Sequence, residues 1–138
     1  MKDEILQTSL KQFLKYGIRE MSIQKLIEPL GISTKTVYKY FDNKEQLLEE
    51  SLKLYYVEQF GLLQIFKDKN AVCFLFDIWY SGLETECKVN KVFFQDLNYY
   101  YPELGNKVEA TISKKIWKRF VEIIEKGIRE GFFREDIH

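Results

Sequence analysis

Gly31-Ile32-Ser33-Thr34-Lys35-Thr36-Val37-Tyr38-Lys39-Tyr40-Phe41-Asp42-Asn43-Lys44-Glu45-Gln46-Leu47-Leu48 is the stretch whose reading decides the fold. It reads as a tight turn, a short helix bearing hydroxyls, lysines and tyrosines, and the start of a longer helix. A turn followed by a short polar helix is what a helix-turn-helix needs to lay side chains in the major groove of DNA. Ser33 is placed to cap the short helix, which runs through about Tyr40, and Val37 and Phe41 are its core anchors.

The segments before it fit the same plan. Ile5, Leu6, Leu10, Phe13 and Leu14 recur at helical spacing, so a helix spans about Lys2 to Tyr16, and Gly17 is placed to end it as a left-handed cap. Ser22 caps a second, short helix with Ile23, Leu26 and Ile27 on its apolar side. Pro29 should limit that helix, because proline lacks an N–H and biases Glu28 away from helical angles.

The segments after it are helical too. Asp42 or Asn43 can cap a fourth helix with Leu47, Leu48, Leu52, Leu54 and Tyr55 on its buried side, reaching Phe66. Lys67-Asp68-Lys69-Asn70 is a polar break. A fifth helix, Ala71 to about Leu83, is apolar nearly all round and should be central in the body. A sixth runs from about Lys91 to Tyr101, before Pro102. A seventh spans roughly Leu104 to Glu130, with Val108, Ile112, Ile116, Phe120 and Ile124 in one row. The expected fold class is all-α.

Composition sets bounds. The chain has 138 residues, 46% hydrophobic and 30% charged, which fits an ordinary globular protein rather than disorder. Aromatic residues make up 16%, so bulky core volume or a lined cavity is needed. Net charge is zero overall, but residues 1–48 carry eight Lys/Arg against six Asp/Glu, and residues 49–138 carry thirteen against fifteen. A slightly basic head on a slightly acidic body suits a nucleic-acid module joined to something else. Two cysteines without CxxC spacing and a single histidine, His138, make no metal site, and no cofactor motif or catalytic constellation is present. Without a signal peptide or an apolar run of spanning length, the expected location is the cytoplasm, away from membranes.

The chain resembles the TetR family of bacterial transcriptional regulators. The residues that carry the resemblance are Phe13, Tyr16-Gly17, Met21-Ser22-Ile23, Leu26-Ile27, Leu30-Gly31-Ile32-Ser33, Thr36-Val37-Tyr38, Tyr40-Phe41, Lys44-Glu45 and Leu47-Leu48. Less specific likenesses lie at Asp96-Leu97, Tyr100-Tyr101-Pro102-Glu103-Leu104 and 127–137. The resemblance implies a three-helix DNA-binding head over residues 1–46, its motif at about 22–41, and a helical regulatory body over 47–138. Two departures stand out. Glu28-Pro29 occupies a helix crossing where the family usually has a small residue. The two further helices that usually form the family's dimer interface would lie beyond His138, so the chain reads as C-terminally truncated.

The resemblance implies that Thr36 and Tyr38 meet phosphates or base edges and that Lys44 meets phosphate. Ser33, Thr34 and Lys35 stand at a helix N-terminus, which favours phosphate. Lys39 shares a face with Lys35, and Tyr40 is an added candidate. For a small-molecule effector the aromatic candidates are Phe74, Trp79, Tyr80, Phe94, Tyr99, Tyr100 and Trp117, which can equally be plain core. The implied partners are double-stranded DNA carrying a pseudo-palindromic operator, an unidentified effector and a second copy of the chain. The implied role is a repressor relieved by its effector. Two rival readings stay open: an interaction module that pairs with an intact relative, and a helical ligand-binding protein without DNA binding.

Overall fold

A computed structural model describes the backbone of residues 1–65 and 70–136, and the side chains of these apart from residues 60, 62–65, 85, 86 and 88. The described residues form seven α-helices and no strand: α1 Lys2–Tyr16, α2 Ile23–Ile27, α3 Thr34–Val37, α4 Lys44–Ile65, α5 Ala71–Lys88, α6 Lys91–Tyr100 and α7 Pro102–Arg129, with a 3-10 turn, Glu28–Leu30, after α2. The expected end of α4 at Phe66 and the break at Lys67-Asp68-Lys69 lie outside the described residues.

The chain divides into two compact units, Met1–Val57 with Val89–Val108, and Glu58–Lys88 with Glu109–His138. The first, called the head unit below, contains the expected head, residues 1–46, together with further residues of α4 and all of α6. Its core gathers Ile5, Leu10 and Phe13 of α1, Leu26 and Ile27 of α2, Val37 of α3 and Phe41 after it, Leu47, Leu48 and Leu52 of α4, and Phe93 and Leu97 of α6. These are the positions that helical spacing assigns to one apolar face on each helix. Ser9 and Ser51 are buried with them, and their hydroxyls have no partner among the described residues.

Local chemistry sets the boundaries. The Ser22 hydroxyl accepts from the Lys25 amide, 3.3 Å, Ser33 accepts from Thr36, 3.3 Å, and the Asn43 side chain accepts from Gln46, 2.8 Å. Each is an N-cap that satisfies an amide with no intrahelical partner. Asn90 does the same for α6, accepting from Val92 at 3.0 Å.

Four expectations need correcting. Gly17 has the positive φ of a cap, +83°, but its ψ of −175° is extended rather than left-handed helical, which turns the following amides towards α6. Glu28 stays in the helical region, φ −49° and ψ −43°, and Pro29 sits in the first turn of the 3-10 segment, where its missing N–H leaves nothing unpaired. α3 is a single turn, and residues 38–40 continue as turns rather than helix. α5 is longer than expected and is not buried all round: Phe76, Trp79, Tyr80 and Leu83 are exposed.

The second unit packs Ala71 and Phe74 of α5 against Ile123 of α7, with Leu75, Ile78 and Phe133 around them. The row expected on α7 keeps Val108 and Ile112 buried but leaves Ile116 and Phe120 exposed. Phe133 folds back because the amides of Phe132 and Phe133 both donate to the Gly127 carbonyl. A Cβ on Gly127 would run into the Phe133 ring, so glycine is required for that approach. Asn70 caps α5 through the Cys73 amide, 2.9 Å, and the Glu130 carboxylate accepts from the Ala71 amide, 3.2 Å.

Gly17→Ala should lower the stability of the head by about 1–3 kcal/mol, since alanine meets both the positive φ and crowding by Val92 and Asp96, 2.7 and 2.8 Å from the added Cβ. A thermal melt checks this. Glu49 accepts from Lys53 at 2.6 Å and from Lys107 at 3.0 Å, which holds its carboxyl below the usual glutamate range. Its pairing therefore stabilises the fold above the ordinary glutamate pKa and is lost as pH falls through the lower folded value. Glu49→Gln should cost a few tenths of a kcal/mol at pH 7 for so exposed a cluster, with the difference from wild type vanishing in acid. Urea melts at several pH values read it.

Candidate nucleic-acid interface

Two buried anchors orient the turn-and-helix segment. Val37 is 0% exposed and Phe41 is 1% exposed. Four residues apart, they pin the segment to the head core from one side, so the residues between and before them must face outward. Tyr38 and Tyr40 are 55% and 40% exposed. Ser33, Lys35 and Lys39 are exposed, and Thr34 and Thr36 are half-buried. The result is a polar and aromatic ridge carrying two lysine ammonium groups, on a rigid base.

Not all of its hydroxyls are free. Ser33 Oγ caps the turn and lies 3.2 Å from Thr36 Oγ1. Both groups keep capacity for a further bond, since a hydroxyl carries one proton and two lone pairs. Beside the ridge, Ser22, Gln24, Lys25, Glu28 and Ile32 line a polar concavity of about 510 Å³. Gln24 and Lys25 carry no periodic signal in the sequence, because α2 is only five residues long. The Lys25 ammonium donates to the Glu20 carbonyl, 3.1 Å. Glu28 is exposed, so its carboxylate points away from the helix crossing and the departure at Glu28-Pro29 is absorbed by the early switch to a 3-10 turn.

Lys44 is placed differently from its neighbours. Its Nζ donates to the Ile18 carbonyl at 2.6 Å, and the side chain is half-buried. Burial pushes its pKa down, and the Asp96 carboxylate pulls it back up.

These features coincide with a family signature. Residues 5–51 match the model of the bacterial regulatory proteins of the tetR family. Over this segment the chain is similar to the TetR family. The matched segment includes both the buried anchors, Val37 and Phe41, and the exposed ridge between and before them. Similar proteins include the HTH-type transcriptional repressor KstR2 of Mycolicibacterium smegmatis, 26% identical over 99% of this chain and 69% of that protein. KstR2 of Mycobacterium tuberculosis is 24% identical over 99% of this chain and 70% of its own length. Among solved structures, the TetR-family regulator PfmR from Thermus thermophilus matches with a TM-score of 0.68 and 23% identity, over 98% of this chain and 76% of that one. The ketosteroid transcriptional regulator KstR2 of Mycobacterium tuberculosis matches with a TM-score of 0.62 and 23% identity, over 99% of this chain and 72% of that one. The all-α fold is thus shared along nearly the whole chain.

The aromatic candidates scatter. In the head unit, Phe94 packs edge-on against Phe93 and Tyr55, centroids 5.0 and 6.0 Å apart, while Tyr99 and Tyr100 are exposed. In the second unit, Phe74 is buried, with the Arg119 guanidinium over its ring, and Tyr80 is exposed. Trp117 is exposed and stacks on Phe120. Trp79 lines an open, almost wholly apolar groove of about 470 Å³ with Val72, Leu75, Phe76, Ile78, Phe120 and Phe133. Phe120 and Phe133 were not singled out from sequence as ligand contacts. Phe133 reaches the groove through the turn at Gly127, which periodicity does not encode.

Among the described residues no cluster of histidine, cysteine or carboxylate groups is suited to a metal ion, and no helix is long and apolar enough to cross a membrane.

Proposed function

We propose that this chain is a TetR-type transcriptional repressor that binds double-stranded DNA through its head and releases it on binding a small apolar effector. The observation that carries the reading is the ridge itself. Val37 and Phe41 are locked in the core while Tyr38, Lys39 and Tyr40 between them stand in solvent, inside a TetR-family match. We place the reading surface on Ser33, Thr34, Lys35, Thr36, Tyr38, Lys39 and Tyr40, within a DNA-binding part at residues 1–46. The lysines supply phosphate affinity, and the hydroxyls and tyrosines reach base edges and sugar-phosphate. A pair of chains on a pseudo-palindrome would set two heads about one helical turn apart, roughly 34–36 Å.

The effector part is residues 47–138, and its candidate seat is the groove around Trp79. That lining offers almost no polar partner, so the ligand class it suits is uncharged and apolar, held by shape and burial. The relatives named repressors support the sign of the regulation. Linkage then requires that effector and DNA weaken each other's binding by the same factor.

The test is a titration of the chain into labelled duplex from upstream of its own coding sequence, at two salt concentrations, against a scrambled duplex. Saturable, tighter binding with two chains per site is expected; equal binding to both duplexes would argue for a head that touches phosphate without reading sequence. Tyr38→Ala should weaken binding with helicity unchanged. Lys39→Ala should lower the salt slope by about 0.9 if it neutralises one phosphate. For the groove, an uncharged apolar fluorescent dye such as N-phenyl-1-naphthylamine should bind saturably and quench tryptophan emission. Trp79→Ala should weaken the dye several-fold and Tyr99→Ala should not; equal effects would remove the groove from the proposal.

A further inference from the structure

The turn that joins α1 to α2 is gripped from two sides by opposite charges. On one side, the Asp96 Oδ2 of α6 accepts from the amides of Ile18, 2.7 Å, and Arg19, 2.8 Å. On the other, the Lys44 Nζ at the start of α4 donates to the Ile18 carbonyl, 2.6 Å. Both polar groups of the buried residue Ile18 are thereby satisfied by side chains distant in sequence, one of them 78 positions away. The same helix also ties down the end of α1. The Asn90 amide donates to the Leu14 carbonyl, 3.3 Å, and its side-chain Nδ2 donates to the Lys15 carbonyl, 2.9 Å. Gly17 leaves just the room that Val92 and Asp96 occupy.

We propose that Asp96 and Lys44 are positioning residues for DNA reading: together they fix the Gly17–Arg19 turn, which fixes where α2 begins and so the setting of the α2–α3 pair. The inference rests on the DNA-binding reading above, and it departs at one residue from what the family resemblance implies, because Lys44 acts inside the head rather than on phosphate. The physical case is the geometry. Two amides converge on one carboxylate oxygen, and charge-assisted bonds of this kind are short and strong. The ammonium is held on the same peptide unit, where the two charges support each other in a partly buried site. Moving Lys44 out to a phosphate would leave the Ile18 carbonyl with only the longer bond from the Met21 amide, 3.4 Å, and would take a counter-charge away from Asp96. Breaking one half of such a partly buried set carries a cost. Lys35 and Lys39, exposed on the ridge, carry no such obligation to the head.

The experiment uses the full chain, wild type and the variants Asp96→Ala, Asp96→Asn and Lys44→Met. The probes are a duplex selected from a random pool by the wild-type chain and a scrambled duplex of equal length, each over a salt series. Amide exchange at Ile18 and Arg19 is measured alongside. In Asp96→Ala the two amides should lose protection, and the preference for the selected duplex should fall about tenfold, with binding to the scrambled duplex unchanged. Global unfolding would instead weaken both duplexes. Asp96→Asn keeps an oxygen that can accept from both amides, so it should restore protection and stay within about threefold of wild type. It also serves as the test should the alanine variant not fold. Lys44→Met should reduce the same preference while leaving the salt slope at the wild-type value. A slope lower by about one unit in Lys44→Met would make Lys44 a phosphate contact and overturn its part. Wild-type selectivity in Asp96→Ala, or amides still protected there, would overturn the part of Asp96. Should the wild type select no duplex at all, the DNA-binding reading fails and the inference about reading falls with it, while the exchange data still decide whether Asp96 holds the turn.

Discussion

One carboxylate oxygen organises the head. Asp96 bonds the amides of Ile18 and Arg19, and much else in this unit is arranged around that pair of bonds. Gly17 must be glycine because its backbone has to turn those amides outward while leaving no side chain in the way. Ile18 is buried because its backbone is fully paired and its side chain drops into the core. Lys44 is half-buried because the carbonyl of the same residue and the charge of Asp96 make that tolerable. Short loops in small domains usually rely on their own turn chemistry. Here the loop keeps one long turn bond of its own, from the Met21 amide to the Ile18 carbonyl at 3.4 Å, and borrows its shorter bonds from α4 and α6.

The ridge that faces DNA in the proposed function rests on a different constraint. A single-turn helix has little intrinsic stability, because nucleation fixes several residues for one hydrogen bond. α3 persists because Ser33 caps it, Val37 and Phe41 anchor it, and α2 lies beside it. Regular helix is therefore not required through Tyr40, and the turns at 38–40 still present both tyrosines outward.

Most of the helical order and the head core was legible in the sequence, because the apolar residues of α1, α4 and α6 recur at helical period and Ser22, Ser33 and Asn43 are cap residues in cap positions. The family signature in the head was legible for the same reason: its residues fall in one register. What did not show was set by distant or irregular contacts. Asp96 looks like any surface carboxylate on an amphipathic helix until the Ile18 and Arg19 amides are placed beside it. Lys44 belongs to a motif whose lysine suggests phosphate, and only its half-buried seat reveals the Ile18 carbonyl. α5 reads as central because Phe74, Phe76, Trp79 and Tyr80 surround it, yet composition cannot say which of them a neighbour covers. The bend at Gly127 that brings Phe133 to the groove depends on backbone bonds, not on period.

The pairing of Asp96 with residues 77 and 78 positions earlier also orders events during synthesis. The first 57 residues can form their helices as they emerge, but the turn before α2 lacks its acceptor, and the end of α1 lacks Asn90, until the segment 89–108 has followed. Domains tend to fold as units on the growing chain, and contacts of long sequence separation form late. A nascent head is therefore an unfinished one, and it acquires its final setting only after residues 58–88 of the second unit have been made.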